Sequence, residues 1–442
     1  MNELIATAQQ GLPGKYKPYP EYKDSGVELL GKVPSHWQRL PLKYLVDMKS
    51  GESITATDIE QEGNYPVFGG NGLRGYTSAF THTGSYILIG RQGALCGNVN
   101  YAVGQFWASE HALVVTAKKP INIKWLGELL RAMDLNQYSI TAAQPGLSAE
   151  ALLNLQIALP SEPECESIAA FLDYETARID RLIAQQQRLI ELLKEKRQAV
   201  ISHAVTKGLN PDVPMKYSGV EWLGQVPEHW VVARLKQVIE SGSSISYGIV
   251  QPGDALDEGV PFIQTTNISQ GKLALEALPK TSKSIEESYP RSRLNGGEVI
   301  LGIRASIGAA YVVPEELKGA NLSRGVARIQ PSDLISSEFL VWFFQTNAVE
   351  QYWGLNKQGS TFSEVSIETV RELSVVIPSD KEQLEICSYV QSISSKFKSL
   401  IDSAEMQNKL LIERRTALIS AAVTGKIDLR DWTPPTDNEV TA

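Results

Sequence analysis

Cysteine is scarce in this chain, three residues in 442, and Cys96, Cys165 and Cys387 stand far apart with no C-x-x-C pair. The five histidines form no H-x-x-x-H or H-E-x-x-H cluster. This spacing argues against a zinc site and for reduced structural thiols. Long apolar runs are missing too: no stretch approaches the roughly 18 residues needed to span a bilayer. The opening MNELIATAQQGLPGKY carries an early acid and no apolar core of signal-peptide length, so a cytoplasmic protein is expected. Positive charge is in deficit, the net charge being −8. That counts against a DNA-binding domain taken alone. Local patches matter more than the sum, however, and basic partner subunits could share the work.

Catalytic motifs are also wanting. There is no G-x-x-x-x-G-K-[ST] phosphate loop. Gly70-Asn71-Gly72-Leu73-Arg74-Gly75 fits G-x-G-x-x-G, but YTSAFTHTG follows, which is not helical. A glycine loop between strands is the better reading. Pro434-Pro435 lacks the Asx before it and the aromatic after it that an amino-methyltransferase would use. No nuclease-type carboxylate pair and no nucleophile motif stands out. Together these absences favour a binding protein over an enzyme.

What is present is duplication. DSGVELLGKVPSHW (Asp24 to Trp37) returns as YSGVEWLGQVPEHW (Tyr217 to Trp230), 193 residues later. The stretch from Pro160 returns from Pro378 at an offset of 218, identity concentrating in Ala204-Val205-Thr206 and Ala422-Val423-Thr424. The second copy thus holds 25 extra residues between its matched ends. The His-Trp pairs, His36-Trp37 and His229-Trp230, read as a core Trp beside a turn-capping His rather than as a partner contact.

Positions in the matched stretch recur, mostly apolar, at spacings of four and three. Ile168, Leu172, Glu175, Ile179, Leu182, Gln186, Leu189, Leu193, Lys196 and Val200 form one seam. Ile386, Val390, Ile393, Phe397, Leu400, Ala404, Gln407, Leu411, Arg414 and Leu418 form its copy. Ser161 before Glu164 and Ser379 before Glu382 are capping boxes, and Gly208 and Gly425 are stops. Two rods of roughly 60 Å are expected, pairing antiparallel, with Gln186 and Gln407 fixing register.

Between lead and rod, each copy shows short strands bounded by turn residues. In the first they are YPVFGG, SYILIG, NVNYAVG and HALVVTA; in the second, VPFIQTT, EVILGI, AAYVVP and RGVARIQ. Short helices are expected at Ile123 to Arg131 and Ser337 to Phe344. ILIGRQGALCGNVNY echoes VILGIRASIGAAYVV, SEHALVV echoes LSRGVARI, and QPGLSAE takes the place of QGSTFSE. The fold class is α+β: two β-rich α/β domains and two long helices pairing as an antiparallel coiled coil, in a pseudo-two-fold repeat. The expected boundaries are 1–160, 161–208, 209–378 and 379–430, with a tail at 431–442.

The SGVE-x-LG-x-VP-x-HW leads, the LP or IP steps into the long helices, and the endings ISHAVTKG and ISAAVTGKID resemble the specificity subunit of type I restriction–modification systems. The resemblance covers nearly the whole chain. It implies two target recognition domains, each reading half of a bipartite, asymmetric double-stranded DNA site, and helices that set the spacer. It implies two adenine-methylating modification subunits and restriction/translocase subunits as partners. S-adenosylmethionine, ATP and magnesium then belong to those partners. This chain carries no cofactor, metal or catalytic residue of its own and meets no membrane. The rival readings are a stand-alone DNA methyltransferase or nuclease, and a coiled-coil adaptor. Loop residues with base-reading chemistry are Asn71, Arg74, Arg91, Gln92 and Gln144 in the first domain. In the second they are Asn267, Arg304, Arg324, Lys357 and Gln358. Removing one heptad from each rod is expected to shorten the gap by about three base pairs.

Overall fold

The computed structural model describes residues 16–27, 30–93, 95–139, 146–254, 256–269, 271, 273–357 and 364–435. By its contacts the chain forms two units, Met1–Gln187 with Glu405–Ala442, and Arg188–Ala404.

The first unit begins with strands β1 (Tyr22–Asp24), β2 (Lys32–Pro34) and β3 (Gln38–Pro41). Then come β4 (Val46–Ser50), β5 (Tyr65–Gly69), β6 (Gly72–Thr77), β7 (His82–Gly90), β8 (Val99–Ala108) and β9 (Ala112–Ala117). Helices α1 (Ile123–Ala132) and α2 (Ala149–Leu153), strand β10 (Gln156–Leu159) and the long helix α3 (Glu162–Lys207) follow. Six strands make one sheet in the order β4-β9-β7-β8-β5-β6, in which only the β5–β8 pair is parallel. Period-two alternation decides its faces. Ile87 and Ile89 enter the main core with Trp125, Leu126 and Leu129 of α1, while Leu88 joins Phe106 and Val114 on the other face. Strand β10 closes back on β3 from Gln156 opposite Pro41 to Leu159 opposite Gln38, just before α3 starts.

The second unit repeats this plan. It has β11 (Met215–Tyr217), β12 (Gln225–Pro227), β13 (Val231–Arg234), β14 (Ser246–Tyr247) and β15 (Val260–Ile263). Helix α4 (Thr265–Ser269), β16 (Lys280–Thr281), helix α5 (Lys283–Glu286), β17 (Val299–Gly302), β18 (Ala310–Val312), β19 (Asn321–Leu322) and β20 (Val326–Ile329) come next. Helices α6 (Ser337–Phe344), α7 (Asn347–Asn356) and α8 (Ile367–Glu372) precede β21 (Ser374–Ile377) and the long helix α9 (Asp380–Val423). Val299, Leu301 and Ile303 face one core and Ile300 the other, the alternation of β7 again. Strand β15 pairs in parallel with β19, as β5 does with β8. One expected strand is cut short: VPFIQTT leaves the extended state at Ile263, because Asn267 Oδ1 accepts the Gln264 N–H at 2.9 Å and starts α4.

The long helices pair antiparallel. In the first unit Arg415 grips Asp180 with bonds of 2.7 and 3.2 Å, Gln186 Nε2 donates to Gln407 Oε1 at 3.1 Å, and Asn408 donates to Gln187 at 3.3 Å. Moving up one helix moves down the other. In the second unit Ile190 and Leu193 pack with Ile401 and Ala404.

The heptad seam needs correcting. Ile168, Leu172, Ile179, Ile386, Val390 and Leu418 are buried as expected, and Leu193, Phe397 and Leu411 half-buried. Leu182, Leu189 and Leu400, however, are 40%, 43% and 54% exposed. The buried positions Ile168, Ile179, Ile190 and Ile201 recur every 11 residues. A seven-residue repeat drifts about 20° per heptad from a straight helix, whereas 11 residues close three turns with a slight right-handed bias. The core stripe therefore passes to Ile183 and Ile190 where heptad counting picks Leu182 and Leu189. Helix α9 also ends at Val423, before Gly425 at φ 69°, rather than at 430.

Each lead seals the end of a long helix. Lys426 Nζ donates to the carbonyls of Leu30 and Lys32 at 3.3 and 2.5 Å, and Asp428 N donates to Lys17 O at 2.7 Å. A Cβ on Gly425 would stand 2.4 Å from Pro34. In the second unit Gly208 lies against Trp230 and Pro227 in the same way.

Candidate nucleic-acid interface

At one end of each sheet, loops from four directions meet. In the first unit Gly70 O lies 2.4 Å from an ideal Cβ on Gly90, and Gly70 itself faces the His111 carbonyl. The loop after β7 is pinned on both sides: Arg91 N donates to His111 O at 2.8 Å, and Leu147 N donates to Arg91 O at 2.9 Å. Gln92 then bridges antiparallel to Gly146. Gly97 N closes the loop on Gly90 O at 2.8 Å. Glu52 bridges in parallel to Ser109.

The second unit builds the same frame from other side chains. Ile303 N donates to Gly325 O, and Val365 N to Ile303 O, both at 2.9 Å. Arg304 bridges antiparallel to Glu364, Gly308 N closes on Gly302 O at 3.0 Å, and Ile249 bridges in parallel to Ser323. Gly93 at φ 87° has its counterpart in Ala305 at φ 60°, a left-handed backbone that an alanine adopts at a cost. The frame sets the correspondence. Gln92 and Arg304 are 212 residues apart, His111 and Gly325 are 214, and Leu147 and Val365 are 218. The last pair corrects the match of QPGLSAE with QGSTFSE by four residues: Ser148 and Ser366, which cap α2 and α8, are the true counterparts.

The expected base-reading residues fall unevenly on this frame. Asn71 is exposed and accepts from Asn98 Nδ2 at 2.9 Å. Arg74 is exposed and folds back over Gly69. Gln92 is exposed. Arg91 is half-buried, donates from Nη1 to Ser50 Oγ at 2.9 Å, and occupies the place of the buried Ile303. In the second unit Glu364 Oε2 lies 3.7 Å from Arg304 Nε and 3.8 Å from Arg324 Nη2, so one carboxylate gathers two guanidiniums. Asn267 uses its side-chain oxygen locally, on Gln264 N. Lys357 stands exposed at the end of α7. Gln144 and Gln358 lie outside the described residues. Sequence reasoning missed Glu364, Glu110, His111 and Asn98. Only the frame shows that they share the site, Glu110 Oε1 lying 3.3 Å from His111 Nε2.

The recurrent His-Trp pairs serve the helix starts. Trp37 and Trp230 are buried, as expected, but the histidines do not cap turns. Glu164, buried in the first turn of α3, accepts from Tyr19 Oη at 2.5 Å and Trp37 Nε1 at 2.9 Å and lies 3.0 Å from His36 Nε2. Glu382 in α9 likewise meets His229 Nε2 at 2.8 Å and Trp230 Nε1 at 3.2 Å, while closing the capping box with Ser379. Burial raises the Glu382 carboxyl, but the bonds from His229, Ser379 and Trp230 together outweigh it and hold the group at about 2.

The three cysteines are free and buried, and burial pushes the Cys165 thiol up to about 12 and that of Cys387 up to about 11. Among the described residues, no three His, Cys, Asp or Glu side chains gather to hold a metal, and no helix is long and apolar enough to cross a membrane.

The family model described as "Type I restriction modification DNA specificity domain" matches residues 34–192 and again 227–406. Among curated relatives, the Escherichia coli EcoprrI specificity subunit is 47% identical over 31% of this chain and 35% of its own. The Escherichia coli EcoBI specificity subunit is 29% identical over 60% and 56%. The chain therefore spans only about a third to a half of those two relatives. The Methanocaldococcus jannaschii MjaVIII specificity subunit is 21% identical over 90% of this chain and 95% of its own. Two solved chains share the fold at 16% identity. One, from "Structural basis underlying complex assembly and conformational transition of the type I R-M system", has a TM-score of 0.67 over 88% of this chain and 98% of that one. The HsdS subunit from Thermoanaerobacter tengcongensis scores 0.51 over 89% and 98%.

Proposed function

The chain belongs to the type I restriction–modification DNA specificity family, and from that membership we propose that it is the sequence-reading subunit of a type I complex. Each recognition domain, 1–160 and 209–378, reads one half of a bipartite, asymmetric DNA site. The helices at 162–207 and 380–423 set the spacer between the halves. Two modification subunits dock on the chain and methylate adenine, and restriction subunits join them. S-adenosylmethionine, ATP and magnesium are bound by those partners, and the chain itself is not catalytic.

The observation that carries this reading is one hydrogen-bonded loop frame built twice and dressed with different side chains. A frame kept while its exposed residues change suits a pair of readers with unlike targets. Of the ten candidates, Asn71, Arg74, Gln92, Arg304 and Arg324 have the chemistry for base edges. Arg91, tied to Ser50, and Asn267, tied to its own helix, suit a positioning role.

The test is co-expression with the modification subunits and mapping of methylated adenines. A single bipartite motif with a fixed gap is expected. Methylation by the purified chain alone, or no motif in the complex, would refute the reading. Deleting 180–190 and 403–413 keeps the 11-residue period and removes about 16 Å from each helix. The gap should shorten by about five base pairs, and an unchanged gap refutes the spacer role.

A further inference from the structure

Gln92 and Arg304 hold one backbone position written twice. Each follows a residue bonded on both sides, Arg91 or Ile303, and each bridges to the strand-like segment before a capped helix, at Gly146 or Glu364. Each precedes a left-handed residue, Gly93 or Ala305. The second unit keeps that backbone although alanine suits it poorly, so the turn's shape is held against a local cost. What differs is the chemistry presented. A carboxamide offers one donor and one acceptor side by side, which matches N6 and N7 of adenine. A guanidinium offers two parallel donors, which match O6 and N7 of guanine.

The surroundings differ in the same sense. Around Arg304, Glu364 stands 3.7 Å from Nε and 3.8 Å from Arg324 Nη2, so two guanidiniums lie beside one carboxylate. In the first unit the places of Arg324 and Glu364 fall to Glu110 and Gly146, and Glu110 turns to His111 at 3.3 Å. A pair of guanidiniums around one carboxylate in one unit thus answers a neutral amide in the other.

We propose that this is a single reading position used in both domains, and that it makes the two half-sites differ: Gln92 selects an adenine and Arg304 a guanine in the equivalent place. The inference rests on the specificity reading above and adds to it which base each residue takes.

The assay is selection from randomised duplexes by the complex with its modification subunits, for the wild type, Gln92→Arg and Arg304→Gln. A bidentate pair discriminates roughly 5- to 150-fold. The wild type should show one A column in one half-site and one G column in the other. Gln92→Arg should turn the first into G, and Arg304→Gln the second into A. Loss of preference in that one column alone also supports the assignment. An unchanged column overturns it. So does a single variant that alters both half-sites, or a uniform fall in affinity that leaves every column intact, the mark of a phosphate contact. If a swap fails to assemble, Gln92→Ala and Arg304→Ala decide by the same readout, since they remove the fork without adding volume. A wild-type complex that selects no bipartite sequence overturns both this inference and the reading beneath it. An unchanged column with methylation intact overturns the inference alone.

Discussion

Replacing Glu164 by alanine should damage the first unit more than Glu382→Ala damages the second, and the reason can be worked from the donors left behind. Glu164 serves Tyr19 Oη and Trp37 Nε1, both on residues no more than 3% exposed. Water cannot replace the carboxylate there, and each orphaned donor costs about 1–3 kcal/mol. The expected loss is about 3–5 kcal/mol. Glu382 serves one fully buried donor, Trp230 Nε1; its other donors, His229 Nε2 on a side chain 48% exposed and the Ser379 N–H and hydroxyl of the capping box, are within reach of solvent. Its loss should be about 1–3 kcal/mol. Glu164→Gln should recover more than half of the alanine effect. Tyr19 and Trp37 both donate to Oε1, so the amide oxygen can serve the two, while Nε2 faces an imidazole able to accept. Two units need not unfold together, so the assay is hydrogen exchange read separately over the two leads, 16–37 and 214–230. Equal effects in the two leads, a larger effect from Glu382→Ala, or less than about 0.5 kcal/mol from Glu164→Ala would refute the reasoning.

Three further outcomes are expected. Ala305→Gly relieves a φ of 60° and should stabilise the second unit by up to about 1 kcal/mol, less the entropy glycine brings to the unfolded chain; a fall in melting temperature contradicts this. Gly248→Ala would drive a Cβ to 1.8 Å from the Leu322 carbonyl oxygen and should cost about 2–3 kcal/mol in thermal or denaturant melts, with Gly51→Ala, 2.2 Å from the Ala108 carbonyl, as its counterpart in the first unit. The Glu382 carboxyl sits at about 2 against an ordinary 4.5. A lowered carboxyl lends stability above the unfolded value and loses it as pH falls towards the folded one. Acid melting between about pH 4.5 and 2 should therefore be shallower in Glu382→Gln, by about 1–2 kcal/mol once solvent screening of the half-exposed pair is allowed for.

The duplication was legible because burial repeats over the best-matched strings: Trp37 and Trp230, the lead strands, and the Ala-Val-Thr helix ends all fall where the match puts them. The helix seam was legible at its ends, where Ile168 and Leu418 lie in a core. It failed in the middle, where Leu189 and Ile190 are neighbours and only the phase of a long helix chooses between them. Strand alternation located β7 and β17 but could not foresee α4, whose Thr-Thr-Asn-Ile-Ser favours extension until Asn267 folds back. The candidate site was half visible. Residue chemistry nominated Gln92 and Arg304, and the echo of ILIGRQGALCGNVNY in VILGIRASIGAAYVV already set them opposite each other; the diversion of Arg91 to Ser50 and the part of Glu364 come from loops 41 and 60 residues apart that no local pattern brings together.

The clasp between Lys426 and the first lead has a consequence for synthesis. Residues 188–404 form the second unit from one uninterrupted stretch, whereas the first needs both 1–187 and 405–442. A nascent chain can thus complete the later unit first. At about 5–20 residues per second, the stretch after Gln187 takes roughly 10–50 s to emerge. Throughout that interval the shoulder made by Pro34 and Trp37 waits for Gly425, and Ile168 and Leu172 wait for Leu418. A chaperone that acts on this protein should find its ligand in the stretch before Arg188, and a chain cut short before Glu405 should aggregate through that stretch rather than through the second unit.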